Sequence, residues 1–163
     1  MLFRSTLGLV FIDGTVFGLA ANARMVLNEM VYDPNGSSNS SLLSLVQGTI
    51  TFVAGETAKR GDMKIDTPAA TMGIRGTAVV SELDFNVPSA GGIPTLKTQL
   101  AAEPGPQPGT FINGSFFLYS KSSPNTVIGQ VTQVGVLTTV TGSGQVSTQP
   151  APPLSQATQA ILE

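Results

Sequence analysis

The side chains best suited to acid–base chemistry in this chain are its ten Asp and Glu residues, since the sequence contains no His and no Cys. General acid–base catalysis needs carboxylates that converge on one reacting group. Carboxylates such as Glu29, Asp66 and Glu82 are instead scattered through strand-like runs and turns, without a recognisable spacing. The Ser and Thr hydroxyls have no His to activate them and no Gly-x-Ser-x-Gly motif to expose one as a nucleophile. We therefore expect a protein that is not an enzyme.

Metal and cofactor sites are disfavoured by the same residue types. Without His and Cys, the chain lacks the usual ligands of zinc. The loop at residues 33–40 carries oxygens at alternate positions, but the sixth and twelfth places from Asp33 hold Ser38 and Ser44, where a calcium loop needs Gly and Glu. A turn closed by Asp33 is the favoured interpretation, and a calcium site is the weaker one. No Gly-rich phosphate loop opens a helix, so we expect no cofactor and no metal.

Charge and size narrow the classes of partner. Eight Lys and Arg against ten Asp and Glu give a net charge of −2, with no basic run, which argues against nucleic-acid binding. Charged residues make up only 11% of the 163 residues, so Ser, Thr, Asn, Gln and Gly must cover much of the surface. This composition is typical of exported proteins, and the length suits one domain. A protein partner is the remaining expectation.

One segment, residues 66–79, stands out as a candidate site because it combines small residues, hydroxyls and a single arginine. In one interpretation Arg75 is a fork for a carboxylate or another anion. In the favoured one it bonds loop carbonyls or an acidic side chain at a corner of the chain. The candidate site residues, structural or partner-binding, are Thr67, Pro68, Thr71, Gly73, Arg75, Gly76 and Thr77.

The elements that position this segment are predicted to be short β-strands. Strand-like runs occupy residues 7–12, 15–19, 24–32, 42–47, 49–53, 63–66 and 77–85, with turn residues such as Asp13-Gly14 and Gly48 between them. The apolar N-terminal part imitates a signal peptide, but Asp13-Gly14 interrupts it and predicts a hairpin instead. No export signal is therefore visible. No apolar stretch approaches the roughly 18 residues of a membrane span, so none is expected.

The second half of the chain predicts further hairpins and a tail. We expect residues 95–100 to pair with residues 115–119, and residues 126–132 to form the last hairpin with residues 134–141. Residues 142–153 are rich in Ser, Gln and Pro and predict a flexible linker, followed by a short helix at residues 155–162. The predicted organisation is one β domain at 1–141, with its core at 7–86 and added hairpins at 95–141, and a tail at 142–163.

The phrases "VQGTITFVAG" and "GDMKIDTPAATMGIRGTAVV", with "FIDGTVFGLAANARMVLNE" upstream, closely resemble the FecR domain family over residues 7 to 86. The resemblance implies an all-β, extracytoplasmic module, a short twisted β-solenoid or β-roll, with a strand, a Thr-Pro step, a Gly-x-Arg-Gly-Thr turn and another strand. Residues 22–55 resemble more specifically the FecR-like domains of large exported bacterial proteins, which tend to continue with a hairpin like "GSFFLY". In the founding members the domain belongs to a periplasmic sensor that signals from an iron-siderophore receptor to a sigma factor.

Two functions follow as hypotheses from the residues and the resemblance together. The leading one is a non-enzymatic β module that binds or scaffolds proteins outside the cytoplasm, in the periplasm, at the cell surface or after secretion. The alternative is part of a periplasmic sensor that regulates an extracytoplasmic-function sigma factor in iron-siderophore signalling. A calcium- or carbohydrate-binding adhesin part is a weaker third option. We also expect the chain to be either a piece of a longer protein or the product of a shortened reading frame.

Overall fold

The computed structural model describes residues 7–36, 38–59, 62–75, 78–84, 94–101, 103–104, 106–112 and 114–153. Within these ranges the chain is nearly all β, as expected. The elements are β1 (Leu7–Val10), β2 (Val16–Leu19), β3 (Arg24–Val31), β4 (Ser40–Val53), α1 (Glu56–Lys59), β5 (Met63–Asp66), β6 (Ala70–Arg75), β7 (Ala78–Asp84), β8 (Thr95–Ala101), β9 (Glu103–Pro104), β10 (Phe111–Ile112), β11 (Ser115–Ser120), β12 (Val127–Val131), β13 (Val136–Val140) and β14 (Val146–Pro150). The solenoid or roll form stays a prediction.

The long strand β4 organises the whole molecule, because it has different neighbours along its two halves. Its first half pairs with β3 on one side and, in parallel, with β5 on the other. Its second half pairs with β2 and β7. The prediction of two separate strands at 42–47 and 49–53 is therefore wrong: Gly48 lies inside one continuous strand.

Gly48 marks the point where β4 changes the face that it buries. Leu43 and Leu45 are buried before it, and Ile50 and Phe52 after it, so the alternation shifts from odd to even positions. The pairing with β3 also shifts just before Gly48, by one residue. An extra residue in a strand exchanges its faces, and the positive φ of 86° at Gly48 suits such a bend. Both halves of β4 thus direct apolar side chains into the same core.

Two sheets meet along β4. The first contains β1, β2, the second half of β4, β7, β8, β13 and β14, and the second contains β3, the first half of β4, β5, β6, β11 and β12. The core cluster draws on both sheets, with Phe17 and Phe52 from the first and Ile65, Ile74 and Phe116 from the second fully or almost fully buried. In the described part of the chain, no helix is long and apolar enough to cross a membrane.

Strand pairing in the second half of the chain differs from the prediction. β8 pairs with β7 and β13, whereas β11 pairs with β6 and β12, so the expected pair of residues 95–100 with 115–119 is wrong. The expected last hairpin is wrong for the same reason, since β12 and β13 add to different sheets. Local alternation identifies a strand, but the core, and not chain proximity, selects its neighbour.

The predicted flexible linker also contains regular structure. Residues 146–150 form β14, which pairs with β13 across a turn where Gly144 has a φ of +83°. The turn is closed by hydrogen bonds from the Thr141 and Gly144 amides. A linker is therefore the wrong description of these residues. The predicted helix at residues 155–162 lies outside the described residues.

Candidate functional site

The central part of the candidate segment, residues 70–75, forms β6 and presents half of its side chains on the outside of the second sheet. Along β6, Ala70, Met72 and Ile74 are buried, so that Thr71, Gly73 and Arg75 face outward. The same alternation applies to β5 and β11. We call this surface the signature face and define it by Lys64, Asp66, Thr71, Gly73, Arg75, Phe117 and Tyr119.

Thr67 and Pro68 belong to the turn between β5 and β6 and lie at the opposite end of β6 from Arg75. The buried Thr67 hydroxyl donates to the Ala70 carbonyl at 2.7 Å and accepts from the Ala70 amide at 3.1 Å. These bonds close the turn. With about 3.4 Å per residue, Arg75 is roughly 17 Å along the strand from Ala70. The structure thus separates the Thr-Pro step from the arginine.

Arg75 lies at the end of a strand and not, as predicted, in a turn. Its exposed guanidinium lies over the Phe117 ring, 5.9 Å from the centroid. Such cation–π contacts contribute roughly 0.5–1 kcal/mol at exposed sites. Gly76 and Thr77 lie outside the described residues, together with the predicted turn. Whether Arg75 serves the fold or a partner stays a prediction.

Gly73 allows an aromatic ring to lie across the signature face. A Cβ atom at this position would be 3.0 Å from Cε2 of Tyr119. Gly73 is opposite Phe117 on β11, and Tyr119 is opposite Thr71, so the tyrosine ring reaches diagonally over the glycine. The glycine is therefore explained by close packing of a side chain, with an ordinary strand backbone.

One carboxylate on the signature face is already engaged. The Thr71 hydroxyl donates to Oδ1 of Asp66 at 2.9 Å, and the Lys121 ammonium forms an ion pair with the same oxygen. Both partners of the ion pair are about two-fifths exposed, at 41% and 38%. Surface pairs of this kind contribute roughly 0–1 kcal/mol. Asp66 and Lys121 therefore largely satisfy each other.

A shallow hollow lies between the cations and the rings of the signature face. It has a volume of about 40 Å³ and is lined by Met63, Lys64, Gly73, Ile74, Arg75, Phe117 and Tyr119. Sites for small organic ligands are typically about 300–1,000 Å³. This hollow suits one small group, such as a carboxylate, and not a whole organic substrate.

A buried carboxylate, Asp13, holds the hairpin between β1 and β2. Its oxygens accept hydrogen bonds from the Thr15 amide at 3.0 Å and the Thr15 hydroxyl at 2.8 Å, and this hydroxyl in turn accepts from the Gly55 amide at 3.0 Å. Burial raises the pKa of Asp13, but the hydrogen bonds from Thr15, with the polar groups of Thr57 nearby, outweigh burial and hold the pKa below its ordinary 3.8. Asp13 therefore stabilises the hairpin. The Asp-Gly motif predicted the hairpin but gave no indication that this carboxylate is buried.

The loop at residues 33–40 forms the expected turn. Oδ1 of Asp33 accepts from the Asn35 amide at 2.9 Å, and the Asn39 side chain bonds both the amide and the carbonyl of Asp33. In the described ranges, no group of three or more acidic residues could hold a metal ion. Calcium binding at this loop stays an untested alternative.

A second, larger cleft lies where β12 approaches β13 and β14. Its volume is about 250 Å³, and its lining residues Gln130, Val131, Thr132, Gln133, Val136, Thr138 and Thr148 are all neutral. The Thr138 hydroxyl is buried there without a hydrogen-bond partner. The cleft therefore lacks the charged groups of a catalytic centre.

Sequence reasoning found Arg75 and Gly73 but missed the residues that complete the face. Lys64, Phe117 and Tyr119 lie in strands that the alternation pattern did predict. What the sequence did not indicate is the pairing of β6 with β11, which joins residues 40 to 50 positions apart. The aromatic pair in "GSFFLY" is the signal that could have identified a second side of the face.

Comparisons with known proteins agree with the fold. The family model described as FecR protein matches residues 4–90. No curated protein matches the chain significantly. Two crystal structures of a protein assigned as an anti-sigma factor, from Parabacteroides distasonis ATCC 8503, have a TM-score of 0.56 at 14% and 13% identity. The match includes 90% of this chain in both cases. It includes only 55% and 56% of the solved chains, so this chain spans about half of their length. This likeness shows a shared fold.

Proposed function

This chain belongs to the FecR protein family, and we propose that it is a non-enzymatic regulatory module that acts by binding another protein outside the cytoplasm. The observation that carries the proposal is the family match over residues 4–90. The two solved neighbours, assigned as anti-sigma factors, support a signalling role in preference to a purely mechanical one.

The absence of His and Cys from the sequence supports a binding role. The buried carboxylate of Asp13 is occupied by structural hydrogen bonds from Thr15. The hollow on the signature face holds only about 40 Å³. A flat surface with exposed cations and half-buried rings suits a protein partner, because aromatic residues and Arg are enriched in the energetic centres of interfaces.

The test measures regulation and compares two charge reversals. In the source organism, the chromosomal copy is replaced by Arg75→Glu and, separately, by Arg24→Glu, which changes an exposed arginine on β3. Transcripts are then profiled, and each protein is checked for unchanged abundance. We expect Arg75→Glu to alter the transcripts of one regulon and Arg24→Glu to leave them as in the wild type.

Transcript profiles that stay unchanged in a complete deletion would contradict the regulatory role. Location is tested separately, by adding protease to intact cells and to cells with a permeabilised outer membrane. Degradation only after complete lysis would contradict an extracytoplasmic site of action.

A scaffold within an exported protein is the second candidate. It is favoured by β11, which contains all but the first residue of "GSFFLY" and extends the second sheet beyond the matched residues 4–90. A scaffold predicts that deletion impairs surface assembly or secretion of the parent protein while transcripts do not change. The two candidates therefore give opposite results in the same deletion strain.

A further inference from the structure

Three cations lie on or beside the signature face. Lys64 and Arg75 belong to it and Lys121 adjoins it, out of eight Lys and Arg residues in the sequence. Lys121 is engaged with Asp66. Among the residues with described positions, neither Lys64 nor Arg75 forms an ion pair with a carboxylate. Two cations therefore remain available at one hollow.

The nearest competing carboxylate is Asp62, which immediately precedes β5. Met63 is opposite Ile74, so the register places Asp62 beside Arg75. Asp62 is exposed, and its backbone, not its side chain, makes the hydrogen bonds to Ser41 and Thr57. An exposed carboxylate at this position would lower the affinity for an incoming anion but would not prevent its binding, because solvent and salt screen the repulsion.

The geometry of the two cations matches the spacing of side chains in an extended peptide. Lys64 is opposite Gly73, and Arg75 lies two residues further along β6, so the two cations are diagonal neighbours. Diagonal neighbours are about 7–8 Å apart. Side chains at positions i and i+2 of an extended chain point the same way and are roughly 7 Å apart. Two acidic side chains at that spacing would each meet one cation.

Pre-organisation of Arg75 favours a carboxylate over a diffuse anion. The guanidinium lies over the Phe117 ring, 5.9 Å from its centroid, and this cation–π contact favours one position of the Arg75 side chain. A planar guanidinium fork binds a carboxylate through two parallel hydrogen bonds. The hollow of about 40 Å³ beside it has room for one such group.

We infer that the partner of the signature face is an extended acidic protein segment, with carboxylates two residues apart on Lys64 and Arg75. This inference rests on the proposed protein-binding function and names the chemistry of its partner. The Tyr119 and Phe117 rings supply the apolar part of the contact beside the two ion pairs.

The experiment titrates the complete isotopically labelled chain with synthetic decapeptides and follows backbone amide shifts. The probes are an alternating Ser-Glu peptide, an alternating Ser-Gln peptide and free succinate. We expect the Ser-Glu peptide to shift amides of β5, β6 and β11. Its affinity should fall about tenfold or more between 50 and 500 mM salt, because salt screens contacts between solvent-exposed opposite charges. The Ser-Gln peptide and succinate should bind at least about tenfold more weakly.

Variants locate the contact. Lys64→Gln and Arg75→Gln should each weaken the Ser-Glu peptide about three- to tenfold, and Asp62→Asn should strengthen it. Arg24→Gln, on the exposed side of β3, is the matched control and should leave binding unchanged. Equal binding of the Ser-Gln peptide, equal binding of succinate, or shifts confined to other strands would each overturn the inference.

Failure of this inference is distinguishable from failure of the proposed function. If Arg75→Glu alters transcripts in cells but the Ser-Glu peptide does not bind, the regulatory role stands and the acidic segment is wrong. If the deletion strain is unchanged and the peptide still binds at β5 and β6, the face binds acidic segments in another role.

Discussion

The substitution Gly48→Ala tests whether the bend in β4 is required for both sheets. The φ of +86° at this position is one that L-residues adopt at a cost of roughly 1–2 kcal/mol. The new Cβ atom would also lie 2.5 Å from the Cα atom of Ala23, a backbone atom that cannot rotate away. Forced movement in a packed region typically costs a further 1–3 kcal/mol or so. We expect the free energy of unfolding to fall by about 2–5 kcal/mol.

Gly144→Ala is the matched control, because it shares the backbone conformation without the collision. Gly144 has a φ of +83°, and a Cβ atom there would meet nothing within 4 Å. Its expected cost is only the backbone term of roughly 1–2 kcal/mol. Effects of Gly→Ala on the unfolded chain are common to both variants. The difference between the two therefore isolates the close approach of β4 to the turn at Ala23.

Urea denaturation followed by circular dichroism measures both variants under identical conditions. A larger loss in Gly48→Ala than in Gly144→Ala by at least about 1 kcal/mol supports the reasoning. Equal losses would refute it, because they would mean that the turn at Ala23 moves freely and that β4 does not depend on its contact with the bend.

Three further predictions concern single groups. Asp13→Asn should lower the free energy of unfolding by about 2 kcal/mol at pH 7, because the hydrogen bonds to the side chain become weaker. Since the folded pKa of Asp13 lies below 3.8, the difference in stability between wild type and variant should persist above pH 3.8 and shrink as the pH falls below it. Urea denaturation at pH 7 and pH 3 measures this difference, and equal differences at both pH values would contradict the prediction. Thr138→Val should leave the melting temperature unchanged or raise it, since the buried hydroxyl lacks a hydrogen-bond partner. Thr148→Val, on the exposed strand β14, is the control. A fall in the free energy of unfolding of more than about 1 kcal/mol in Thr138→Val would mean that the hydroxyl does have a partner. Gly73→Ala should displace the Tyr119 ring, seen as altered tyrosine fluorescence, with less than about 1 kcal/mol of destabilisation because a side chain can yield; an unchanged spectrum would argue against the ring contact.

The sequence predicted strands well where one face is apolar and the other polar. Met63 and Ile65 are buried while Lys64 is exposed, as their alternation indicated. The strand β6 was missed, although Ala70, Met72 and Ile74 alternate in the same way, because Gly73 and Gly76 favoured a turn. A glycine in a strand can serve the packing of a neighbouring ring, and this use has no local signature.

The candidate site could be predicted only in part, because its two sides come from distant parts of the chain. Arg75 was identified from its position among small residues. The Phe117 ring beneath it belongs to a strand whose neighbour is chosen by burial of Phe116 and Leu118 in the common core. Long-range pairing of this kind depends on the complete core and not on the residues nearby.

The shared strand also determines how a disturbance spreads. A slip of one residue along β4 must either be absorbed at Gly48 or be transmitted from β3 and β5 to β2 and β7, since all four neighbours bond to the same strand. A displacement of β5 at the signature face can therefore be transmitted through β4 to β2, which begins after the hairpin turn at Asp13. The amides of β4 should accordingly be the last to exchange with deuterated solvent, and the chain should melt in a single step.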